Sequence, residues 1–267
     1  MTSRSPGDVQ LNAEVSWDDT FDPIAYVDHN YRDLHAEDAE ILHIVRDHFS
    51  DHFREHGGGS FSGIDVGPGS NLYPALAMLP WCDRITLFER SRRNVEYLRS
   101  QVGGYDDNWD QFWRVLCKSD AYAALDMDPR AKFREAVRGR VEQGDIFDLP
   151  EHEGRWQVGT MFFVAESMTS SIEEFDRGVE CFMRALAPGA PFAAAFMEHS
   201  RGYPAGSHFF PACDVGEAEV SDSLRPFSAK FETLRLGAPA AVREGYSGMI
   251  VACGHRNSDF SAPVDRR

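Results

Sequence analysis

Residues 61–70 are Phe61-Ser62-Gly63-Ile64-Asp65-Val66-Gly67-Pro68-Gly69-Ser70, an apolar run that meets two glycines at its end. A short, mostly apolar run is typical of a strand buried in a parallel sheet. The glycines allow a tight turn, after which residues 73–78 have the composition of a helix. We therefore interpret this stretch as the first strand–turn–helix unit of an α/β protein.

The same alternation continues along the chain. Further strand-like runs stand at residues 85–88, 140–143, 158–164, 192–197, 231–236 and 249–253. Apolar residues with helical spacing stand at residues 41–53, 92–101 and 172–186, and Ser171-Ile172-Glu173-Glu174 has the form of a capping box. Strands and helices in alternation predict a doubly wound, Rossmann-like, largely parallel sheet.

Composition excludes several classes of function. The 267 residues include 27 Lys plus Arg against 43 Asp plus Glu, a formal net charge of −16. That charge repels nucleic-acid backbones and anionic membranes, so we expect neither as a partner. No apolar stretch approaches the roughly 20 residues that a membrane helix needs, and residues 1–8 lead into no secretory signal. Five scattered cysteines without a Cys-x-x-Cys pair indicate reduced thiols, and hence a cytoplasmic protein.

The glycine turn favours one kind of ligand. Leu72 stands where the dinucleotide fingerprint has its third glycine, which argues against a nicotinamide-dependent oxidoreductase, and no Gly-Lys-Ser/Thr follows to hold a triphosphate. Asp65, just before the glycines, suits a cation better than a pyrophosphate. S-adenosylmethionine carries an ammonium and a sulfonium group, so it fits this loop. The alternative is a plain strand-to-helix turn.

Two acids follow later strands. Glu89 comes 22 residues after Gly67, where a carboxylate can accept the ribose hydroxyls of an adenosine group. Asp145 lies in Gly144-Asp145-Ile146, where it could accept from an adenine amino group while Ile146 packs on the ring. The alternatives are a surface glutamate and a helix cap.

Candidates for chemistry on a second substrate come later in the chain. Glu166 follows the strand at 158–164 and is either a helix cap or a substrate-facing group. Glu198 ends the next strand, and His199 and His208 are candidate general bases in the segment that follows.

These motifs together resemble class I S-adenosylmethionine-dependent methyltransferases, more closely the nicotinamide, phenylethanolamine and indolethylamine N-methyltransferase family. Its Phe-x-Pro-x-x-Tyr opening is similar to the stretch from Phe21 to Tyr31, and its glycine loop is similar to residues 64–73. The resemblance spans residues 21–255 and implies a bacterial member whose sheet has seven strands, the last one antiparallel. The residues it implies for the cofactor are Tyr26, Tyr31, Asp65, Gly67, Gly69, Asn71, Tyr73, Glu89, Asn94, Asp145 and Ile146.

The resemblance also implies an activity. We expect methyl transfer from S-adenosylmethionine to a small molecule, at an amine or heteroaromatic nitrogen, with Glu166, Glu198 and His208 as catalytic candidates and no metal. Transfer to carbon or oxygen of a specialised metabolite, and a non-catalytic cofactor-binding regulator, are the alternatives. Oligomeric state stays open.

The predicted organisation has several parts. A flexible arm over 1–20, a helical cap over 21–56 and a tail over 256–267 flank a cofactor-binding domain over 57–255. That domain contains a helical insertion over 105–138 and a substrate loop over 199–215. Trp109, Phe112 and Trp113 in the insertion either cover the substrate or pack in the core. His48, His52 and His56 share one helix face, which we interpret as solvated rather than metal-binding.

Overall fold

The computed structural model describes residues 9–57, 59–125, 127–237 and 246–258. The strands are β1 Phe61–Val66, β2 Cys82–Glu89, β3 Val141–Gln143, β4 Val158–Phe162, β5 Pro191–Glu198, β6 Tyr203–Ala205, β7 His208–Phe210, β8 Lys230–Gly237 and β9 Gly248–His255. The helices are α1 Trp17–Thr20, α2 Pro23–Asn30, α3 Ala36–His56, α4 Tyr73–Met78, α5 Arg92–Gln101, α6 Asp110–Leu116, α7 Asp120–Ala123, α8 Pro129–Val137, α9 Ile172–Ala185 and α10 Glu217–Leu224.

A seven-stranded sheet forms the centre of the molecule, in the order β3-β2-β1-β4-β5-β9-β8. The pairs β3–β2, β2–β1, β1–β4 and β4–β5 are parallel, whereas β9 runs antiparallel to both β5 and β8. The predicted fold class is thereby confirmed, including the antiparallel last strand. Because the strand order reverses beside β1, the carboxyl ends of β1 and β4 border the crevice in which such sheets bind ligands.

Both faces of the sheet are covered by apolar side chains. In β5, Ala193 and Ala195 belong to one core cluster, while Phe192, Ala194 and Phe196 belong to the other. This alternation follows from the two-residue period of a strand. Trp109, Phe112 and Trp113 belong to the first of these clusters, and Trp109 and Phe112 are fully buried. The insertion aromatics therefore pack in the core.

The N-terminal segment differs from the predicted arm. Residues 1–8 lie outside the described residues, but residues 9–20 pack against the domain. Asn12 is 2% exposed, Trp17 stacks on Phe210 with ring centroids 5.1 Å apart, and the Gln10 amide donates to Ser170 Oγ. Aromatic stacking and buried hydrogen bonds hold this polar segment in place.

Only one of the two hydrogen bonds of a capping box forms at the start of α9. Ser171 Oγ accepts the Glu174 amide at 3.3 Å, as the motif predicts. The Glu174 carboxylate does not return to Ser171 and instead accepts the amide of Asn12 at 2.8 Å. The start of α9 thus anchors the N-terminal segment.

The histidine face of α3 is only partly solvated. His48 and His52 pack against His255 of β9, and His52 Nδ1 lies 2.9 Å from His255 Nε2. The solvated-face prediction is wrong for His48 and His52 because α3 lies against β9 there, whereas His56 is exposed as predicted. Among the described residues, no three His, Cys, Asp or Glu side chains are grouped as metal ligands.

The C-terminal part of the chain differs from the predicted organisation at two places. The predicted substrate loop contains the β6–β7 hairpin. Arg256, assigned to the tail, is 4% exposed, and residues 259–267 lie outside the described residues. No helix in the described part of the chain is long and apolar enough to cross a membrane.

Candidate functional site

A cleft of about 770 Å³ opens beyond the carboxyl ends of β1, β2 and β4. The lining residues are Asn12, Trp17, Phe21, Tyr26, Tyr31, Val66, Gly67, Pro68, Gly69, Asn71, Phe88, Glu89, Arg90, Asn94, Gly144, Ile146, Phe162, Phe163, Val164, Ser167, Met168 and Tyr203. The structure therefore brings together most of the predicted cofactor residues.

The glycine turn forms the floor of the cleft. Gly67 and Gly69 have φ angles of +62° and +59°, a backbone region that residues other than glycine rarely adopt. A Cβ on Gly67 would stand 2.6 Å from Val164 Cγ1. Both the conformation and the close approach of the β4 end require glycine at position 67.

Glu89 connects the glycine turn to the end of β2. Its Oε2 accepts the Gly69 amide at 2.9 Å, and its Oε1 accepts the Ser91 amide at 2.7 Å and Asn94 Nδ2 at 3.3 Å. Burial raises the pKa of Glu89 although the backbone hydrogen bonds oppose it. A carboxylate has about four acceptor positions and three are occupied here, so one position remains for a ligand hydroxyl.

Two cleft amides have unused hydrogen-bonding atoms. Asn71 Oδ1 accepts the Tyr73 amide, whereas its buried Nδ2 has no partner in the described structure. Asn94 Oδ1 is likewise buried and unpaired among the described residues. Buried polar atoms are normally paired, so this donor and this acceptor indicate a polar ligand between the glycine turn and α5.

Two predicted cofactor residues lie below the cleft instead of lining it. Asp65 is fully buried, accepts Thr160 Oγ1 at 2.8 Å, and has an unpaired Oδ2 among the described residues. Burial raises its pKa. Tyr73 stacks on Phe112 and donates to Asp38, so it belongs to the core. Its ring also packs edge-on against Tyr31 and Phe162, with centroids 6.0 and 5.6 Å away.

Aromatic rings form the opposite wall. Tyr26 and Tyr31 both line the cleft, with ring centroids 5.9 Å apart. Tyr26 also contacts Phe21 and Tyr203, with centroids 5.3 and 6.2 Å away. The tyrosine pair predicted from the N-terminal motif is therefore at the cleft, joined by Tyr203 from the hairpin.

The loop after β3 is only partly as predicted. Ile146 and Gly144 line the cleft. Asp145 is the N-cap of the turn that follows, accepting the Phe147 amide, and it forms an ion pair with Arg90. Its carboxylate does not line the cleft because these partners and Asn12 hold it.

Glu166 lies behind the cleft wall. It is fully buried, and its Oε1 accepts Ser167 Oγ at 3.0 Å and the Met197 amide at 3.1 Å. Ser167 lines the cleft, whereas Glu166 does not. Glu166 therefore reaches the cleft only through its neighbour.

The other predicted catalytic residues lie elsewhere. Glu198 pairs with Arg235 Nε at 2.6 Å and accepts Ser247 Oγ; although burial opposes it, these partners lower the pKa of Glu198. His208 is exposed on β7 beside Ser207, and His199 pairs with Asp214 at 2.7 Å. Glu198 was chosen because it follows a strand. That criterion could not show that Arg235, 37 residues later in the sequence, pairs with it.

Several cleft residues were not predicted. Asn12 and Trp17 sit in a polar segment without periodicity, and Arg90 follows Glu89 without a motif of its own. Phe163 has a φ of +60° at the end of β4, a strained conformation of the kind found at functional sites. The apolar run at 158–164 located this strand end but not its bend.

The sequence was compared with the models of known protein families. The sequence model of the NNMT/PNMT/TEMT family matches residues 9–248. The chain belongs to this family. It is an S-adenosylmethionine-dependent methyltransferase, and the resemblance found in the sequence is confirmed. A search of curated proteins found no match.

A solved structure shares the fold of this methyltransferase, and two others align with lower scores. A methyltransferase from Methanosarcina mazei aligns with a TM-score of 0.50 at 11% identity, over 77% of this chain and 96% of that one. The N-methyltransferase NodS from Bradyrhizobium japonicum gives 0.46 at 13% identity, over 80% and 86%. CalS10, an amino pentose methyltransferase from Micromonospora echinaspora, gives 0.47 at 13%, over 82% and 91%.

The cleft residues fit S-adenosylmethionine, which supplies an activated methyl group. Glu89 would accept from a ribose hydroxyl, and Ile146 would offer an apolar surface to the adenine. The unpaired atoms of Asn71 and Asn94 suit the polar amino-acid part. Tyr26 and Tyr31 line the cleft and would limit access of water to the bound cofactor.

Proposed function

We propose that this methyltransferase acts on a small molecule and transfers the methyl group to a nitrogen atom of an amine or a heteroaromatic ring. The observation that carries the proposal is the chemistry of the cleft wall. Of the lining residues, only Glu89 and Arg90 carry a formal charge, and Arg90 is paired with Asp145. Eight of the other twenty lining residues are aromatic, with Phe21, Tyr26 and Tyr203 on one side.

Such a wall suits an acceptor that enters without charge. Displacement at a sulfonium needs a free lone pair on the acceptor, which an ammonium group lacks. No carboxylate other than Glu89 lines the described cleft, so nothing there pairs with a substrate ammonium. Flat aromatic side chains stack on a flat acceptor and align its nitrogen with the methyl group.

Ser167 and Tyr203 supply polar contacts at this wall. The Tyr203 hydroxyl donates to the Ser167 carbonyl at 3.3 Å, and the Ser167 hydroxyl donates to Glu166. We assign Glu166 the part of a positioning residue that holds Ser167, rather than a base in contact with the substrate. Glu198 and His208 have no such link to the cleft in the described structure.

Matched acceptors test the proposal. Purified enzyme with S-adenosylmethionine would be offered pyridine- and aniline-type nitrogens beside the corresponding phenols and carbon nucleophiles, and kcat/KM would be measured by product mass. We expect the nitrogen acceptors to react at least tenfold faster. A preference for phenols or carbon would overturn the nitrogen assignment and leave the methyltransferase activity intact.

We further propose a cytoplasmic setting without nucleic-acid substrates. All five cysteines are free thiols, which suits a reducing compartment. The net charge of −16 disfavours binding to phosphate backbones. Filter binding to DNA and RNA at low salt tests the second point, and we expect no retention.

A further inference from the structure

The helix α2 is held in place by little apolar packing. It carries Tyr26 and leads directly into Tyr31, and both tyrosines line the cleft. None of its eight residues is buried, and Ile24 is 59% exposed. Elements with few buried contacts are the first to open locally. The position of α2 therefore depends on residues 31–34, which we call the corner and which join α2 to α3.

The corner is bound by two side chains of the helical insertion. Asn108 Nδ2 donates to the Tyr31 carbonyl at 3.0 Å. Gln111 Nε2 donates to the Arg32 carbonyl at 2.8 Å, and Gln111 Oε1 accepts the Leu34 amide at 2.8 Å. Three backbone groups of the corner thus find their partners on side chains that lie 77 to 79 residues later in the sequence.

Gln111 suits this position because its two backbone partners are of opposite kinds. The Arg32 carbonyl can only accept a hydrogen bond and the Leu34 amide can only donate one, so the carboxamide is fixed in one orientation. A carboxylate has no donor for the carbonyl, and an apolar side chain serves neither group. The corner therefore requires an amide side chain at this position.

The insertion that carries Gln111 is itself well packed. Trp109 and Phe112, on either side of it in the sequence, are fully buried. Their rings lie against the ring of Tyr31, with centroids 5.5 and 6.3 Å away. Gln111 therefore ties the corner to the same part of the core on which Tyr31 rests.

We propose that Gln111 is a positioning residue that holds the corner, keeps Tyr26 and Tyr31 at the cofactor, and thereby slows cofactor exchange. A ligand enclosed by the tyrosine wall leaves only when that wall moves, and α2 turns about the corner because α3 beyond it is packed on the core. Gln111 touches neither the cofactor nor the acceptor and acts through the backbone of the corner. Loss of its two hydrogen bonds therefore favours the open position of α2.

The rate of ligand release tests this role. A chase with excess unlabelled ligand would measure how fast labelled S-adenosylhomocysteine leaves the wild type, Gln111→Met and Gln101→Met. Gln111→Met keeps an unbranched side chain of similar length but removes both hydrogen bonds, so we expect release to be about tenfold faster. The association rate should change by less than about twofold, because such changes act mostly on dissociation.

Gln101→Met is the matched control. Gln101 accepts the Asp106 amide at 2.9 Å and donates to the Asp106 carboxylate at 2.9 Å, and it does not line the described cleft. This variant loses the same kind of hydrogen bonds, so its stability should fall as that of Gln111→Met does, while its release rate stays that of the wild type. Unchanged release in Gln111→Met, or equal acceleration in both variants, would overturn the proposal.

Hydrogen exchange of the wild type provides a test that needs no variant. Opening at the corner exposes the amides of residues 24–34, so bound S-adenosylhomocysteine should slow their exchange at least about tenfold. The amides of residues 44–53, farther along α3, should exchange alike with and without the ligand. If the ligand leaves the exchange of residues 24–34 unchanged, the proposal is overturned even where Gln111→Met fails to fold.

Discussion

Glu89 and Gly69 are joined by a hydrogen bond of 2.9 Å from the Gly69 amide to Glu89 Oε2, which ties the turn after β1 to the end of β2. The same carboxylate is the predicted acceptor of the ribose hydroxyls. One side chain thus shapes the glycine turn and faces the cofactor cleft, so its replacement should affect both stability and binding.

Glu89→Gln and Glu89→Ala test these two roles. The glutamine oxygen still accepts one backbone amide, but the NH₂ group cannot accept from a ribose hydroxyl. We expect S-adenosylhomocysteine affinity to fall by about 10- to 100-fold, in line with hydrogen bonds to a charged group. Glu89→Ala should in addition lower the free energy of unfolding by about 1–3 kcal/mol, because the Gly69 and Ser91 amides lose their acceptor. Calorimetry and denaturant unfolding measure the two effects, and unchanged binding in both variants would contradict the role of Glu89.

Gly67→Ala should abolish cofactor binding. The φ of +62° strains an alanine, and its Cβ would meet Val164 Cγ1 at 2.6 Å. Gly103→Ala is the matched control, since nothing lies within 4 Å of a Cβ there. We expect the control to bind S-adenosylhomocysteine like the wild type, and equal behaviour of the two variants would show that the turn tolerates a side chain.

Ser167→Ala should change the kinetics with the acceptor, whereas Glu198→Gln should change only the stability. Ser167 lines the cleft, so its loss should raise the acceptor KM at least fivefold and leave S-adenosylhomocysteine affinity unchanged. Glu198 pairs with the half-exposed Arg235, so Glu198→Gln should cost about 1 kcal/mol of stability without changing KM. Steady-state kinetics measure the acceptor KM of both variants, and unfolding curves measure their stability. A raised KM in Glu198→Gln would return that residue to the substrate site.

The histidine contact between α3 and β9 should make the protein sensitive to acid. Burial, followed by the charge of His255, lowers the pKa of His48 from 6.5 to about 4, and burial does the same for His52. Below pH 6.5 the unfolded chain takes up protons that the folded chain does not, so the free energy of unfolding falls as the pH drops toward 4. His48 alone accounts for at most about 3 kcal/mol of this loss. Asp38 acts in the opposite direction, since burial raises its pKa to about 6.

Unfolding midpoints at pH 7.5 and pH 5 measure this effect. His48→Gln should reduce the difference between the two midpoints, whereas His29→Gln, on the exposed side of α2, should keep it. An equal difference in the wild type and His48→Gln would show that His48 takes no part.

Local patterns predicted the elements of the sheet well and the directions of polar side chains poorly. The bounds of β1, α4 and α5 agree with the sequence expectation because glycines, Ser91 and apolar spacing mark their ends. The β6–β7 hairpin was missed because three-residue strands, one with a central proline, carry no period. Asn12 was missed because its burial depends on Glu174 and Trp17, which no local pattern connects to it.

The atom that receives the methyl group tests the central claim most directly. Enzyme with ¹³C-methyl S-adenosylmethionine would be given an equimolar mixture of nitrogen, oxygen and carbon acceptors, and carbon–proton correlation spectra would locate the label. We predict N-methyl signals with the wild type and none with Glu89→Ala. Label found only on oxygen or carbon, or cofactor binding without any labelled product, would contradict the account.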